Sequence, residues 1–293
     1  MLVFLSLIWG ITWPVMRIAL NEIPPVTMRA TATVLGAATY YLLCVAMRRR
    51  LLIRSPKVWA HIVIASLLNV VAFSLFSAFA QLAATTSRVA ILAYTMPIWA
   101  VLLAWAFLGE RPNRLQAIAL LLCATGLGIL IYPLAANGIP RGIVFAIAIG
   151  VCWAGGTVYL KWAQIQADQM GVGSWQLTVA AVILVACMLI FDGRPHFSEV
   201  HPDGALATAW TGIASSGIAY ALWFTIIRRL PAITASLGVL ASPVIGVVGS
   251  FFILGEVPTG ADMTGFALIF VASACVLLNR QKPRRAVRAS VRP

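Results

Sequence analysis

The stretch LGERP at residues 108–112 returns as LGEVP at residues 254–258, and each copy follows a proline by the same interval. Pro97 and Pro243 stand 146 positions apart, as do the two copies of the motif. Proline, glycine and glutamate that recur at matched spacing indicate an internal repeat. The chain is therefore predicted to consist of two similar halves.

The composition is that of a membrane protein. Hydrophobic residues make up 61% of the 293 positions, charged residues make up 10%, and the mean hydropathy is +0.96. Soluble domains carry roughly 25% charged residues, and a membrane-spanning helix needs about 20 apolar ones. Ten apolar runs approach that length. They cover residues 2–20, 26–47, 58–80, 88–108, 115–133, 142–163, 174–191, 204–227, 233–254 and 261–279.

The basic residues predict the orientation. Ten spans leave both termini on one side of the membrane. If that side is the cytoplasm, sixteen of the 21 Lys and Arg residues fall in cytoplasmic segments. Such a bias follows the positive-inside rule and predicts a multi-pass membrane protein with both termini cytoplasmic. It also assigns the positive net charge to topology and lipid contact rather than to nucleic acid. The remaining five residues are assigned to the outside: Arg17, Arg29, Arg88, Arg141 and Arg194.

The second half is predicted to be inverted relative to the first. Five spans per half is an odd number, so the second copy must enter from the other side. Segment 109–114 carries two arginines, whereas its copy, 255–262, carries no Lys or Arg. The fold predicted is an all-α membrane protein with two inverted five-helix repeats. The predicted domains are residues 1–137, residues 138–279 and a basic cytoplasmic tail, 280–293.

Several short motifs give the chain a family resemblance. They are LIWG at 7–10 followed by Trp13 and Pro14, the two proline and LGE-x-P segments, and Trp153-Ala154 at the start of the second half. With them the chain resembles the ten-helix EamA type of the drug/metabolite transporter superfamily. It is similar there to bacterial inner-membrane exporters of aromatic and other amino acids. The resemblance implies a central cavity between the halves and no organic cofactor.

Charge restricts the chemistry of that cavity. No Asp or Glu lies near the centre of any predicted span. Intramembrane charges normally mark proton relays or contacts with ionic substrates, so their absence argues against a carboxylate-based proton pump. It equally argues against carriers of sugar phosphates or nucleotides. Glu110 and Glu256 lie at helix ends, where we expect each to cap the following helix, with a gating role as the alternative.

The substrate cavity is predicted from uncharged polar and aromatic residues at mid-span. Such a surface suits a zwitterion or an apolar side chain. Singly, these residues also fit an interfacial aromatic belt or helix-to-helix hydrogen bonding. The predicted cavity residues are Trp9, Trp13, Asn69, Phe73, Ser77, Tyr94, Trp153, Thr157, Ser216, Tyr220 and Trp223.

The favoured function is a secondary transporter that exports small neutral or zwitterionic metabolites, amino acids including aromatic ones foremost, by alternating access. Its expected partners are an amino-acid-like substrate and the lipid bilayer, with the protein a monomer. Neither a cofactor nor a metal is expected, since the acids and histidines of loop 192–203 match no standard metal spacing. The alternatives are an exporter of unrelated apolar metabolites or drugs, a membrane scaffold and an intramembrane enzyme. The enzyme is disfavoured because His61, His196 and His201 lie near a span start or in a loop.

Pro97 and Pro243 are predicted to be hinges, because a proline inside a membrane helix frees a backbone carbonyl and permits bending. Replacing both by alanine should therefore slow transport in proteoliposomes if the protein is a carrier. A scaffold would tolerate the same change. Unaltered turnover in the double variant would contradict the hinge assignment.

Overall fold

The structure, a computed structural model, describes residues 1–135, 141–195, 200–231 and 241–278, together with Phe197, Ala235 and Val239. The described residues form ten helices. These are α1 (Leu2–Leu20), α2 (Pro25–Ala46), α3 (Pro56–Ala83), α4 (Thr86–Leu108), α5 (Arg114–Ala135), α6 (Arg141–Ala163), α7 (Gln169–Phe191), α8 (Pro202–Arg229), α9 (Ala241–Leu254) and α10 (Gly260–Leu278). The predicted domain junction at 137/138 and the predicted tail lie outside the described residues.

The predicted fold class is confirmed. No strand occurs among the described residues, and seven of the helices, α1–α4 and α6–α8, are long and apolar enough to cross a bilayer. Shorter apolar stretches, Arg114–Ile129 and Ala241–Leu254, lie in α5 and α9. The chain is an all-α, multi-span membrane protein.

The helix starts follow from local sequence. Pro25, Pro56 and Pro202 begin α2, α3 and α8, where the missing N–H is not needed for the helix. α7 begins at Gln169, five residues before the predicted span. The cause is Asp168, whose carboxylate accepts hydrogen bonds from two backbone N–H groups of the first turn.

The bundle has two ends that differ in charge. At the basic end, a cleft is lined by Arg49, Arg228 and Arg229, and Arg49 Nε lies 3.6 Å from Asp168 Oδ2. The opposite end carries three carboxylates that reach across the two halves. They belong to Glu22, Asp192 and Glu256.

Equivalent helices of the two halves run in opposite directions. α1 ends at the end of the bundle that carries the three carboxylates, where Arg17 in its last turn donates a hydrogen bond to the Gln81 carbonyl. α6 starts at that end, because Gly142 packs against the Ala83 backbone, and finishes with Lys161 at the basic end. The antiparallel arrangement of α1 and α6 is the one that an inverted repeat requires.

The packing of the helices repeats with the same two-fold relation. α1 packs against α9, and its equivalent α6 packs against α4. α3 contacts α6, and its equivalent α8 contacts α1. α2 pairs with α7, and α5 pairs with α10, so each of these helices packs against its own equivalent. The core of the bundle is therefore an interface between the halves.

Two helices contain π-helical segments at equivalent places. α3 adopts this form over Leu67–Ala72 and α8 over Thr211–Ile218. Hydrogen bonds in a π-helix run from i to i+5, which widens the turn and commonly marks a functional site. The Ser216 hydroxyl donates to the Thr211 carbonyl, five residues back, at 3.0 Å. The hydropathy pattern contains no signal for these segments, because they lie within continuous apolar runs.

α4 is interrupted where the predicted hinge lies. The interruption divides it into Thr86–Ala93 and Met96–Leu108. Tyr94 and Thr95 form the turn between the parts, so Pro97 lies in the first turn of the second part. Pro243 likewise is the third residue of α9. Both prolines lie near helix starts, where a missing N–H costs little, and not inside continuous helices as predicted. Their role as hinges stays a prediction.

The α1–α9 interface depends on glycine. A Cβ atom on Gly10 would lie 2.6 Å from Ile245 Cβ and 2.8 Å from the Ser242 carbonyl oxygen. Gly246 approaches from the α9 side, where its missing Cβ would lie 3.3 Å from the Gly10 carbonyl. Small residues allow membrane helices to approach this closely.

Replacement of Gly10 by alanine should lower the thermal stability of the purified protein in detergent, because the added methyl meets a backbone carbonyl and a Cβ that cannot rotate away. Overpacking of this kind costs about 1–3 kcal/mol. Gly155→Ala is the matched control, since a Cβ at Gly155 has no neighbour within 4 Å. Equal melting temperatures for the two variants would contradict the close α1–α9 contact.

Candidate functional site

A pocket lies at the centre of the bundle between the two repeats. Its free volume is about 50 Å³, which is room for one or two water molecules. An amino acid is several times larger, so the pocket must expand to hold one. The lining residues are Trp9, Thr12, Trp13, Met16, Arg29, Phe73, Tyr94, Met96, Trp153, Ser215, Ser216 and Tyr220.

An aromatic cluster joins the repeats on one side of this pocket. We define it as Trp9, Trp153, Tyr220 and Trp223. The Trp9 and Trp153 rings, from equivalent positions of the two halves, meet edge to face at 5.2 Å. Tyr220 lies 5.6 Å from Trp153, and Trp223 lies 5.6 Å from Trp9. Edge-to-face pairs each contribute roughly 0.5–1.5 kcal/mol beyond burial, so the cluster holds the halves together where the pocket would have to open.

The cluster is hydrogen-bonded to both π-helical segments. The Tyr220 hydroxyl donates to the Asn69 carbonyl at 3.2 Å, and Trp9 Nε1 donates to the Ser215 carbonyl at 3.4 Å. Asn69 and Ser215 are 146 positions apart, so the two acceptors are equivalent in the repeat. Each widened turn therefore binds an aromatic residue of the other half, and movement of either segment must move the cluster.

Several buried polar groups beside the pocket have no hydrogen-bond partner among the described residues. They include the indole N–H of Trp153, the indole N–H of Trp223 and the carboxamide of Asn69. A buried polar group without a partner costs about 1–3 kcal/mol. These groups can be satisfied by water or by a polar cargo that enters an expanded pocket.

The structure brings most of the predicted cavity residues together and leaves some apart. Trp223 is behind the lining in the aromatic cluster, and Asn69 and Thr157 are buried beside it. Ser77 donates to the Ser74 carbonyl at 2.9 Å within α3 and is not in the lining. The lining includes seven of the eleven: Trp9, Trp13, Phe73, Tyr94, Trp153, Ser216 and Tyr220.

Arg29 is the main correction to the predicted site. It was assigned to the outside segments, but it is the fifth residue of α2, is 5% exposed and lines the pocket. Its Nη2 donates to Ser74 Oγ at 2.8 Å and its Nη1 to Met16 Sδ at 3.1 Å. The expectation that the cavity carries no charge is therefore wrong. The argument against anionic cargo loses its basis with it.

The cap predicted for Glu256 also differs from the structure. Glu256 does not cap the helix that follows it. Its carboxylate accepts hydrogen bonds from the N–H groups of Thr86 and Ser87, at 3.0 and 2.9 Å, and from the Ser87 hydroxyl. It thus caps α4 of the other repeat. After Glu110, the start of α5 is capped by reciprocal bonds between Asn113 and Gln116.

Two further carboxylates form hydrogen bonds between the repeats at the end of the bundle opposite the basic end. Asp192 Oδ2 accepts from the Thr27 N–H at 2.7 Å and from the Thr27 hydroxyl at 2.9 Å. Glu22 Oε2 accepts from the His201 N–H at 3.0 Å. Both contacts place a carboxylate at a helix N-terminus, where the helix dipole favours negative charge.

Comparison with known proteins agrees with the division into two repeats. The model of the EamA-like transporter family matches the chain twice, over residues 1–132 and 140–278. The chain belongs to the EamA-like transporter family. A Bacillus subtilis relative, the uncharacterized transporter YoaV, is 23% identical over 92% of this chain and 92% of its own length. The uncharacterized inner membrane transporter YedA of Escherichia coli is 22% identical over 94% of this chain and 89% of its own.

Other relatives of this EamA-like chain cover it as completely. A Salmonella typhimurium protein named "Probable amino-acid metabolite efflux pump" is 21% identical over 97% of this chain and 95% of its own length. A solved crystal structure covers 93% of this chain and 98% of its own, with a TM-score of 0.69 and 23% identity. That similarity supports the fold. These relatives are named as transporters or as an efflux pump, which disfavours an enzyme independently of the positions of the histidines.

Glu256→Gln should lower the stability of this EamA-like bundle, since the variant loses the charge that caps α4 across the two repeats. A capping carboxylate contributes about 0.5–2 kcal/mol, so the melting temperature in detergent should fall by several degrees. Asp203→Asn is the matched control, because Asp203 is exposed in the first turn of α8 at the same end. An equal or smaller loss for Glu256→Gln would argue against the cross-repeat cap.

Proposed function

We propose that this protein is a secondary transporter that exports small zwitterionic metabolites with an apolar or aromatic body, amino acids foremost, across the bacterial inner membrane by alternating access. The observation that carries the proposal is the aromatic cluster between the inverted repeats, of which Trp9, Trp153 and Tyr220 line a pocket too small for cargo in its present form. Such a pocket binds only when the halves move apart.

The chemistry of the pocket favours this class of cargo. Tryptophan and tyrosine faces bind aromatic and aliphatic side chains, and can bind an ammonium group by cation–π attraction. The indole N–H of Trp153 and the hydroxyl of Ser216 supply polar contacts. The name of the Salmonella relative, an amino-acid metabolite efflux pump, points to the same class.

We infer the route of movement from the two ends. The basic end is assigned to the cytoplasm by the positive-inside rule, and the opposite end to the outside. In the conformation described, Glu22, Asp192 and Glu256 bind backbone or hydroxyl donors of the other repeat at the outer end. Export then requires these three contacts to part after cargo has bound from the cytoplasm.

A flux assay tests the proposal. Purified protein in liposomes should exchange labelled phenylalanine, tryptophan or leucine, and Trp153→Leu should reduce that exchange at least about tenfold, because the ring contacts cargo and partner rings. Trp162→Leu is the matched control, since Trp162 lies nearby on α6 but is 54% exposed.

Two results would overturn the proposal. Absence of protein-dependent flux for every amino acid would remove the substrate class. Flux confined to uncharged apolar compounds would favour the alternative, an exporter of apolar metabolites or drugs.

A further inference from the structure

Arg29 is a buried cation, and no buried carboxylate is found in the part of the chain that the structure describes. Its side chain is 5% exposed, and the described residues that line the pocket include no aspartate or glutamate. Among the described residues the ion pair of Arg49 with Asp168 lies at the basic end and does not involve Arg29. A charge held in the bundle without a counter-ion is unfavourable and normally marks an ion or substrate contact.

The hydrogen bonds of Arg29 leave donors free. A guanidinium has five N–H donors. One Arg29 donor binds Ser74 Oγ, another points to the weak acceptor Met16 Sδ, and Nε has no partner among the described residues. Ser74 therefore fixes the orientation of the guanidinium, while donors remain for a stronger acceptor. A carboxylate matches that need, because it accepts two parallel N–H bonds from arginine.

The pocket is amphipathic along its length. Met16 and Arg29 contact each other on one side of the lining, and Trp9, Trp153 and Tyr220 supply aromatic rings to the rest of it. Trp9 and Met16 are seven residues apart on α1, which is about 10 Å of helix. That span fits a molecule with an anionic group at one end and a ring or aliphatic chain at the other.

The approach from the basic end also favours anions. A cleft of about 540 Å³ there is lined by Lys161, Arg228 and Phe224. The Phe224 ring lies 5.9 Å from Tyr220 of the central pocket. Basic residues at the mouth of a cleft raise the local concentration of anions. Phe224 of the cleft and Tyr220 of the central pocket are therefore in ring contact.

We propose that Arg29 is the carboxylate-binding residue of the transport site, and that recognised cargo must carry a carboxylate. The inference rests on the proposed function and narrows it, since the amino group becomes dispensable and the carboxylate does not. Arg29 has no counterpart in the second repeat, where the aligned positions are Gly173 to Trp175. The cargo is therefore bound in one orientation, with its carboxylate towards α2.

The first test uses the wild-type protein and four unlabelled probes. Phenylalanine and 3-phenylpropionate carry the carboxylate, whereas phenethylamine and phenylalanine amide lack it. We expect the first two to raise the melting temperature in detergent and to inhibit phenylalanine exchange, and the amines to be about ten- to a hundred-fold weaker, which is the loss expected when a charge-assisted hydrogen bond is absent.

The second test uses variants. Arg29→Met should abolish the preference for carboxylates, and Arg29→Lys should retain part of it, because lysine keeps the charge but not the planar fork. Arg88→Met is the control, since Arg88 is exposed on α4 and absent from the lining. If Arg29 only stabilised the fold, Arg29→Met would melt earlier and keep the probe selectivity unchanged.

The outcomes separate the two proposals. Equal potency of phenethylamine and 3-phenylpropionate on the wild type overturns the inference, even if no Arg29 variant folds. Stabilisation by sodium chloride or acetate equal to that by 3-phenylpropionate also overturns it, because the site would then accept any small anion. Carboxylate-selective, Arg29-dependent stabilisation without flux would support the inference and remove the transport function instead.

Discussion

The fold depends on one constraint, which is that backbone N–H and C=O groups inside a bilayer must be satisfied within the protein. Regular helices meet it along nearly all of the described spans. The departures from regular geometry in α3, α4 and α8 occur beside the central pocket, where Phe73, Tyr94 and Ser215 belong to the lining. Irregular backbone is tolerated there because it is buried in protein or borders a cavity.

The two halves are related by symmetry in their packing but not in the residues that line the central pocket. The repeat supplies paired elements, such as the acceptor carbonyls of Asn69 and Ser215, each of which binds an aromatic residue of the other half. The site itself is not symmetric, since Trp9 donates from one half and Tyr220 from the other, and Arg29 stands alone. The helix packing is therefore symmetric, whereas the lining of the central pocket is not.

Hydropathy and charge counts are sufficient to predict the ten helices and the inversion. Span length and the odd number of helices per half depend on the whole sequence and not on particular contacts. The same counts were insufficient for contacts between the halves. Glu256 was expected to act locally, and nothing in its neighbouring sequence indicates that its partners are Thr86 and Ser87. Likewise, an all-apolar run has no periodicity that would reveal a π-helical turn.

Arg29 could have been found from the sequence. It lies inside the predicted span 26–47, and an ionisable residue within a span is itself a sign of function. Counting it with the loops concealed that sign. By contrast, the clustering of Trp9, Trp153 and Tyr220 was accessible from the repeat, since aromatic residues at mid-span in both halves were expected to converge on the central cavity.

The small volume of the central pocket also affects whether water and ions can leak through the protein. A membrane that stores energy as an ion gradient loses it through any continuous file of water. Rings packed 5.2 to 5.6 Å apart around about 50 Å³ of free space leave room for isolated waters and not for a chain of them. If the protein transports as proposed, the ring contacts that part for cargo are therefore also the contacts that keep a chain of water out of the central pocket between turnovers.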